Sequence, residues 1–399
     1  MQELLTEAHP SSRPYLPGSI LCPRLFDSNQ SLVGVGGRVS LQAEDFMVHE
    51  IPKYFPSGEG EHCMVHILKS NRTTDEAVKA IAEGTGVLDK NIAYAGRKDK
   101  YALTTQWLSV PCSVEQLKSN DDQVLLLSAH PHKQKMRLGH NLGNLFSILI
   151  SAIPQESSIS SGIERIKKGI PNYFAEQRFG RAWYEKRPIE GYQPPQAHDG
   201  TVLQDPENRA RDNVDRAFMF LERFVDTKRR PNSKQKRDVK LALSALQSAL
   251  FNLWIGERIQ DNLIDQVIEG DVCRKQEGGT FYSTDPELDT KRLLAGDIMV
   301  LGPMLGPKLF PAQGRAKARE EALYQKWGLN ESMRSALGKF WRGDRRPLLL
   351  KPRALNHTLE KGVEGQINLR VSFILPSGSF ATAIMAALID PSTERFERI

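Results

Sequence analysis

Residues 94–107 read Tyr94-Ala95-Gly96-Arg97-Lys98-Asp99-Lys100-Tyr101-Ala102-Leu103-Thr104-Thr105-Gln106-Trp107. One acid, Asp99, stands among three cations, Arg97, Lys98 and Lys100. Gly96 precedes the group, and a strand-like run from Gln106 to Val110 follows it. Positive charge nearby favours the ionised carboxylate, and a carboxylate on a loop that feeds a strand is well placed to act as a nucleophile. The plainer reading of a Lys-Asp-Lys triplet is a solvated surface, since these residue types are seldom buried. Adjacent side chains of an extended chain point to opposite faces, so Lys98 and Lys100 need not touch Asp99.

Outward from this stretch the pattern is β from about residue 38. Cys63, Val65 and Ile67 alternate with Met64, His66 and Leu68, a run apolar on both faces apart from His66, as in a central strand. Thr73 and Glu76 form a capping box for a helix that carries Ala77, Val78 and Ile81 and ends at Gly84 or Gly86. Val124–Ala129 and Leu145–Ala152 are further strands, and Ser161 with Glu164 predicts a second capping box for a helix ending at Gly169. Residues 185–238 are rich in Pro, Gln, Asn and charge. Beyond them Val239, Leu243, Leu246, Leu250 and Leu253 recur at helical spacing, a stripe that reads as core. Residues 316–327 form another helix, and Ile367, Leu369, Val371 and Phe373 alternate as a half-buried strand. Segments rich in β-structure at both ends therefore flank a helix-rich middle.

Composition sets outer bounds. The chain has 399 residues, enough for two or three domains, with 40% hydrophobic and 26% charged residues. A net charge of +6 and a pI near 9.0 suit a polyanionic partner. The four cysteines, Cys22, Cys63, Cys112 and Cys273, are widely spaced and suggest neither a zinc ribbon nor a disulfide framework. No apolar run reaches the roughly eighteen residues that span a membrane. The reading is a cytoplasmic protein. Gly34, Gly36 and Gly37 lack dinucleotide-binding spacing, and His62 and His66 lack a third metal ligand.

The stretch at 94–107 resembles the signature of the TruD family of tRNA pseudouridine synthases, Ala-Gly-x-Lys-Asp-x-x-Ala-x-Thr-x-Gln. Here that core is Ala95, Gly96, Lys98, Asp99, Ala102, Thr104 and Gln106. Glu44-Asp45-Phe46, Gly143-Asn144-Leu145-Phe146, Pro171 to Gly180, Gln247 to Asn252 and Leu375 to Thr382 are similar, in order, to further elements of that family, so the resemblance covers roughly 34–390. Two places depart from it. Ala43 stands where the family has Pro, and Ser40 where a Lys is common, with Arg38 two residues earlier.

The resemblance implies an α+β fold. A pseudouridine-synthase-like mixed, mainly antiparallel sheet domain (31–168 and 351–399) is interrupted by an inserted helix-rich α/β domain (169–350); residues 1–30, which match nothing in the family, read from Pro10, Pro14, Pro17, Pro23 and several serines as an extended arm. It also implies isomerisation of uridine to pseudouridine in tRNA, at uridine-13, with Asp99 as the catalytic carboxylate and the insertion facing it across an RNA cleft. That reaction moves the uracil from N1 to C5 on ribose C1′ and needs no metal and no nucleotide cofactor. The partner is tRNA, and the protein is read as a monomer.

Lys98 is the nearest cation to keep Asp99 charged. A flipped uridine needs aromatic stacking, which the motifs assign to Phe46, Phe146 and Phe380, each equally readable as a core ring. Phe46 and Phe380 lean toward the pocket. Asn144 offers the donor and acceptor that the amide edge of uracil needs, or else turns the chain beside Gly143. Lys133, Lys135 and Arg137, with Arg178, Lys228, Arg229 and Arg230, are candidates for the RNA backbone. Two more clusters are Lys234, Lys236, Arg237 and Arg315, Lys317, Arg319. The alternative reading is a non-catalytic RNA chaperone on the same fold, for which a carboxylate facing RNA has no use.

Overall fold

The computed structural model describes residues 34–39, 42–154, 156–174, 213–362 and 365–389. The arm at 1–30, Ser40 and Arg178 lie outside the described residues. The chain forms two compact units. One is built from Ser31–Ile170 and from Leu350 onward, the other from Pro171–Leu349.

In chain order the first unit begins with β1 (Arg38–Val39), β2 (Phe46–Pro52) and β3 (His62–Ser70). Helix α1 (Thr74–Thr85) follows. Thr73 caps it in a reciprocal box with Glu76, and Gly86 ends it at φ 74°. Then come β4 (Ala93–Tyr94), β5 (Leu103–Val110), β6 (Val124–His132) and β7 (Asn141–Ile153). Helix α2 (Ser157–Lys168) stops at Gly169, as its sequence predicts, but starts earlier than predicted. Ser161 lies inside it and bonds back to the Ser158 carbonyl, so no capping box forms there.

The second unit contains α3 (Asn213–Thr227), α4 (Gln235–Gln260), β8 (Val272–Lys275), β9 (Thr280–Tyr282), α5 (Pro286–Ala295), β10 (Ile298–Met304), α6 (Gly314–Lys326), α7 (Glu331–Ser335) and β11 (Asp344–Pro347). Its four strands form an antiparallel sheet in the order β9-β8-β10-β11. Helix α4 buries the whole stripe from Val239 to Leu253. By length and composition it could cross a membrane, but 72% of its apolar stretch is buried inside the protein, as in a core helix. Asn252 on α4 grips the Phe174 backbone from both sides, at 2.9 and 3.0 Å, while Arg346 stacks over Phe174 at 4.1 Å. The motif at 171–174 and the helix motif at 247–252 thus meet as one structural clasp.

The chain returns to the first unit with β12 (Arg353–Lys361), β13 (Ile367–Pro376) and α8 (Ala381–Ile389). The large sheet runs β12-β13-β7-β2-β5-β3-β6, with β1 beside β7 and β4 beside β5. Every pair is antiparallel except β2 with β5, so the sheet is mixed but mainly antiparallel. Its registers align Lys69 with Thr104, and Glu50 with Asn144 and Leu375. Strands β7 and β13 approach closely at Gly143, where an added Cβ would run into the Leu375 carbonyl. Gly143→Ala is expected to destabilise the protein by about 1–3 kcal/mol. An unchanged urea midpoint would show that the strands part without cost.

Candidate active site

The loop at 95–99 lies on the sheet face lined by Phe46, Val48 and Glu50 of β2. Alternation along β2 buries those three residues, and Glu50 is 5% exposed. Side chains from neighbouring elements hold the loop. Gln106 Nε2 donates to the Gly96 carbonyl at 2.7 Å, and its Oε1 accepts from Thr74 Oγ1 at 3.1 Å. The Lys98 backbone N–H donates to Thr74 Oγ1 at 2.9 Å. The Lys98 ammonium reaches Glu50 at 2.7 Å in a buried ion pair. The Lys69 ammonium donates to the carbonyls of Asp99 at 2.5 Å and Arg72 at 2.7 Å. Ala95 and Ala102 are buried, which leaves no room for larger side chains where the loop meets the sheet.

The three cations around Asp99 separate, but not by strand alternation, which would put Lys98 and Lys100 on one face. Lys98 turns inward to Glu50, while Arg97 and Lys100 pair outward with Asp75 and Glu76. The ammonium acting most strongly on the Asp99 carboxyl belongs to Lys69, with Lys98 second. Crowding by the surrounding chain raises the Asp99 pKa above the ordinary carboxylate value, and the two ammoniums oppose that rise. The residue itself remains exposed, so the carboxyl is crowded yet open to a ligand. Lys69 is fully buried, and burial lowers its pKa to about 8. Burial likewise raises the pKa of Glu50, against the pull of Lys98.

Asn144 sits opposite Glu50 on β7, and its buried Oδ1 has no hydrogen-bond partner among the described residues. A buried acceptor left unpaired has a lone pair available to a donor. Asn141 borders the loop, since a Cβ on Gly96 would lie 3.6 Å from Lys98 Nζ and 3.9 Å from Asn141 Nδ2. Ser377 Oγ donates to Asn141 Oδ1 at 2.9 Å. That bond ties the turn after β13, with Gly378 at φ 80°, to the site, and half-buried Phe380 stands on that turn.

Phe46 and Phe146 are each 4% exposed. They meet edge to face at 6.5 Å, and Phe146 stacks on Phe373 at 5.6 Å. In this structure both pack as core rings, one of the two readings their sequence allowed. Arg38 pairs with Ser151, about 20 Å along β7 from Asn144. The ammonium acting most strongly on Asp99 comes from Lys69 on β3.

Lys133, Lys135 and Arg137 are exposed on the loop before β7, and Lys133 pairs with Glu59. Gly139 N–H on that loop donates to the Ala95 carbonyl at 2.7 Å, so the basic loop abuts the Asp99 loop. Lys228, Arg229 and Arg230 are exposed in the second unit. Glu50, Lys69 and Asn141 are site residues that the motif reading did not single out. The parity of their strands carried the signal for two of them. Glu50 continues Phe46 and Val48, and Lys69 continues Cys63, Val65 and Ile67, so each puts a charge on an inward position.

The chain matches the family described as tRNA pseudouridine synthase D (TruD) over residues 29–189 and 233–388. It is 35% identical to a tRNA pseudouridine synthase D of Thermus thermophilus over 365 residues, 89% of each chain. It is 34% identical to the tRNA pseudouridine synthase D of an Anaeromyxobacter species, over 91% of this chain and 95% of that one. A crystal structure from Methanosarcina mazei, solved under the provisional description of a tRNA pseudouridine synthase D, superposes with a TM-score of 0.66 at 22% identity. It covers 93% of this chain and 98% of that one, which establishes the shared fold.

Proposed function

This chain belongs to the tRNA pseudouridine synthase D family and isomerises uridine in tRNA, and from that premise we propose that Asp99 is the catalytic carboxylate and uridine-13 the target. The observation that carries the assignment of Asp99 is its setting. Its carboxyl is open to a ligand while Lys69 anchors its own carbonyl from below. Attack on ribose C1′, attack on the uracil ring and removal of a ribose proton all begin from an ionised carboxylate. The two ammoniums favour that form.

Asn144 fits the part of the reaction that distinguishes this isomerisation from hydrolysis. The detached uracil must turn so that C5 replaces N1 opposite the sugar. A half-turn about the axis through N3 and C6 makes that exchange and swaps the two carbonyls. The edge it presents afterwards is again acceptor, donor, acceptor. The unpartnered Asn144 Oδ1 can therefore accept from N3–H throughout, with Nδ2 donating to whichever carbonyl lies beside it. Phe380 supplies the ring for stacking, and Lys135 and Arg137 flank the entry with charge for phosphates. The same reading places the enzyme in the cytoplasm.

The pH dependence tests the coupling of Lys69 to Asp99. Asp99 must be ionised, so activity falls as pH drops through its pKa, which lies above the ordinary value of about 3.9. Lys69→Met removes an opposing positive charge, which raises that pKa further. The acid limb of kcat/KM should move to higher pH. A limb that stays in place in a folded Lys69→Met variant would show that Lys69 does not act on Asp99. The charge on Lys69 itself is costly in the fold. As pH rises from about 8 toward its unfolded value of about 10.4, that cost is relieved and this group's effect on stability improves.

A further inference from the structure

We propose that the second unit carries a separate RNA site, a pocket that takes one unstacked nucleotide of the bound tRNA, with its phosphate on arginines and its base against phenylalanine rings. The proposal rests on the tRNA reading above and adds to it a site away from Asp99. The pocket is a cavity of about 140 Å³ between the end of α3, the loop 228–234 and the start of α4. That is far more room than the roughly 10–15 Å³ a single water requires.

Its lining mixes two chemistries that a folded interior seldom brings together. Phe220 and Phe224 stand one helical turn apart on α3 and are only half-buried. Arg223, Arg229 and Arg230 line the same cavity, and all three are exposed. No carboxylate lines it, and among the described residues none of the three guanidiniums forms an ion pair. Clustered like charges repel and contribute nothing to the fold. Guanidiniums are, however, shaped to grip phosphate oxygens in pairs. Half-exposed rings beside them offer the stacking surface that single-stranded nucleic acid uses. The side-chain amide of Gln235 completes the wall, its Nε2 a neutral donor for a base edge.

The wall is also fixed in advance. Lys228 takes φ 53° and donates its N–H to the Phe224 carbonyl at 2.8 Å. The Arg229 N–H donates to Thr227 Oγ1 at 3.2 Å. Asn232 and Gln235 exchange backbone-to-side-chain bonds at 3.0 and 3.2 Å. A loop already held in place loses little freedom when a ligand arrives.

The test measures tRNA affinity of the full-length protein across a salt series. Arg229→Ala with Arg230→Ala should weaken binding and flatten the slope of log affinity against log salt by about 0.7–0.9 for each phosphate no longer neutralised. Phe220→Leu keeps apolar bulk but removes the ring, and should weaken binding about tenfold without changing that slope. Phe224→Leu serves as the second ring variant if the first folds poorly. Arginine variants that flatten the slope while both ring variants bind like wild type would overturn the nucleotide pocket in favour of a plain phosphate surface. Unchanged affinity in all variants would overturn it outright. Wild type that neither binds tRNA nor forms pseudouridine would fail the functional reading itself, and this shows without any variant.

Discussion

Asp99→Asn is expected to lower pseudouridine formation by about 10⁴-fold or more while leaving the fold and tRNA affinity in place. The substitution keeps the size of the side chain and removes only its charge and basicity. The loop does not depend on that carboxylate for its shape. Its anchors are the Asp99 carbonyl, bound by Lys69, the Gly96 carbonyl, bound by Gln106, and the Lys98 side chain, bound by Glu50. The measurement is a pseudouridine assay on transcribed tRNA, read at position 13, beside a binding assay on the same RNA. Activity retained by the Asn variant would remove Asp99 from the mechanism. A tRNA-chaperone activity that survives while isomerisation disappears would show two separate functions on one surface.

The largest expected effect on stability comes from Lys98→Met. Lys98 and Glu50 are a buried pair, their side chains 4% and 0% exposed. Removing one partner of such a pair costs about 3–5 kcal/mol, because the other charge is left buried alone. Glu50 can escape part of that cost by taking up a proton, since burial already raises its pKa and the loss of Lys98 raises it further. A carboxyl whose pKa is higher folded than unfolded destabilises the fold increasingly as pH climbs from its ordinary value to the raised one. The deficit of Lys98→Met should therefore be larger at pH 8 than at pH 5. Lys98→Met combined with Glu50→Leu should recover most of the loss, as apolar replacement of buried pairs often does. Urea unfolding at two pH values checks all of this. A loss below about 0.5 kcal/mol would mean that Lys98 behaves as an ordinary surface lysine.

The legible parts of this chain were those whose causes are local. The Thr73 and Glu76 box lies within four residues, and the α4 stripe lies on one helix, so both could be read directly. The Asp99 loop was visible through its motif, although the motif did not say what each residue does. Lys98 looks like a partner for its neighbour Asp99, yet it pairs with Glu50 on a different strand. Lys69 lies 30 residues before Asp99 and acts on it only because β3 and β5 are adjacent. Phe46 and Phe146 were ambiguous for a different reason. A ring that packs a core and a ring that stacks on a base leave the same letter in a motif, and only burial separates them. Ser161 and Glu164 satisfied a capping pattern inside a helix already under way.

The pairing of β7 with β13 sets the order in which the enzyme can be completed during synthesis. Asn144 and Leu375 are neighbours in the sheet but are made more than two hundred residues apart. At about 5–20 residues per second, the ribosome needs tens of seconds to bridge that interval. Throughout it, one edge of β7 has no partner, and the turn bearing Ser377 and Phe380 does not yet exist. Until residues 367–380 are made, the candidate site lacks that turn, and the open edge of β7 is a hazard for mispairing. Asp99 is thus made long before the strand and turn that border its site.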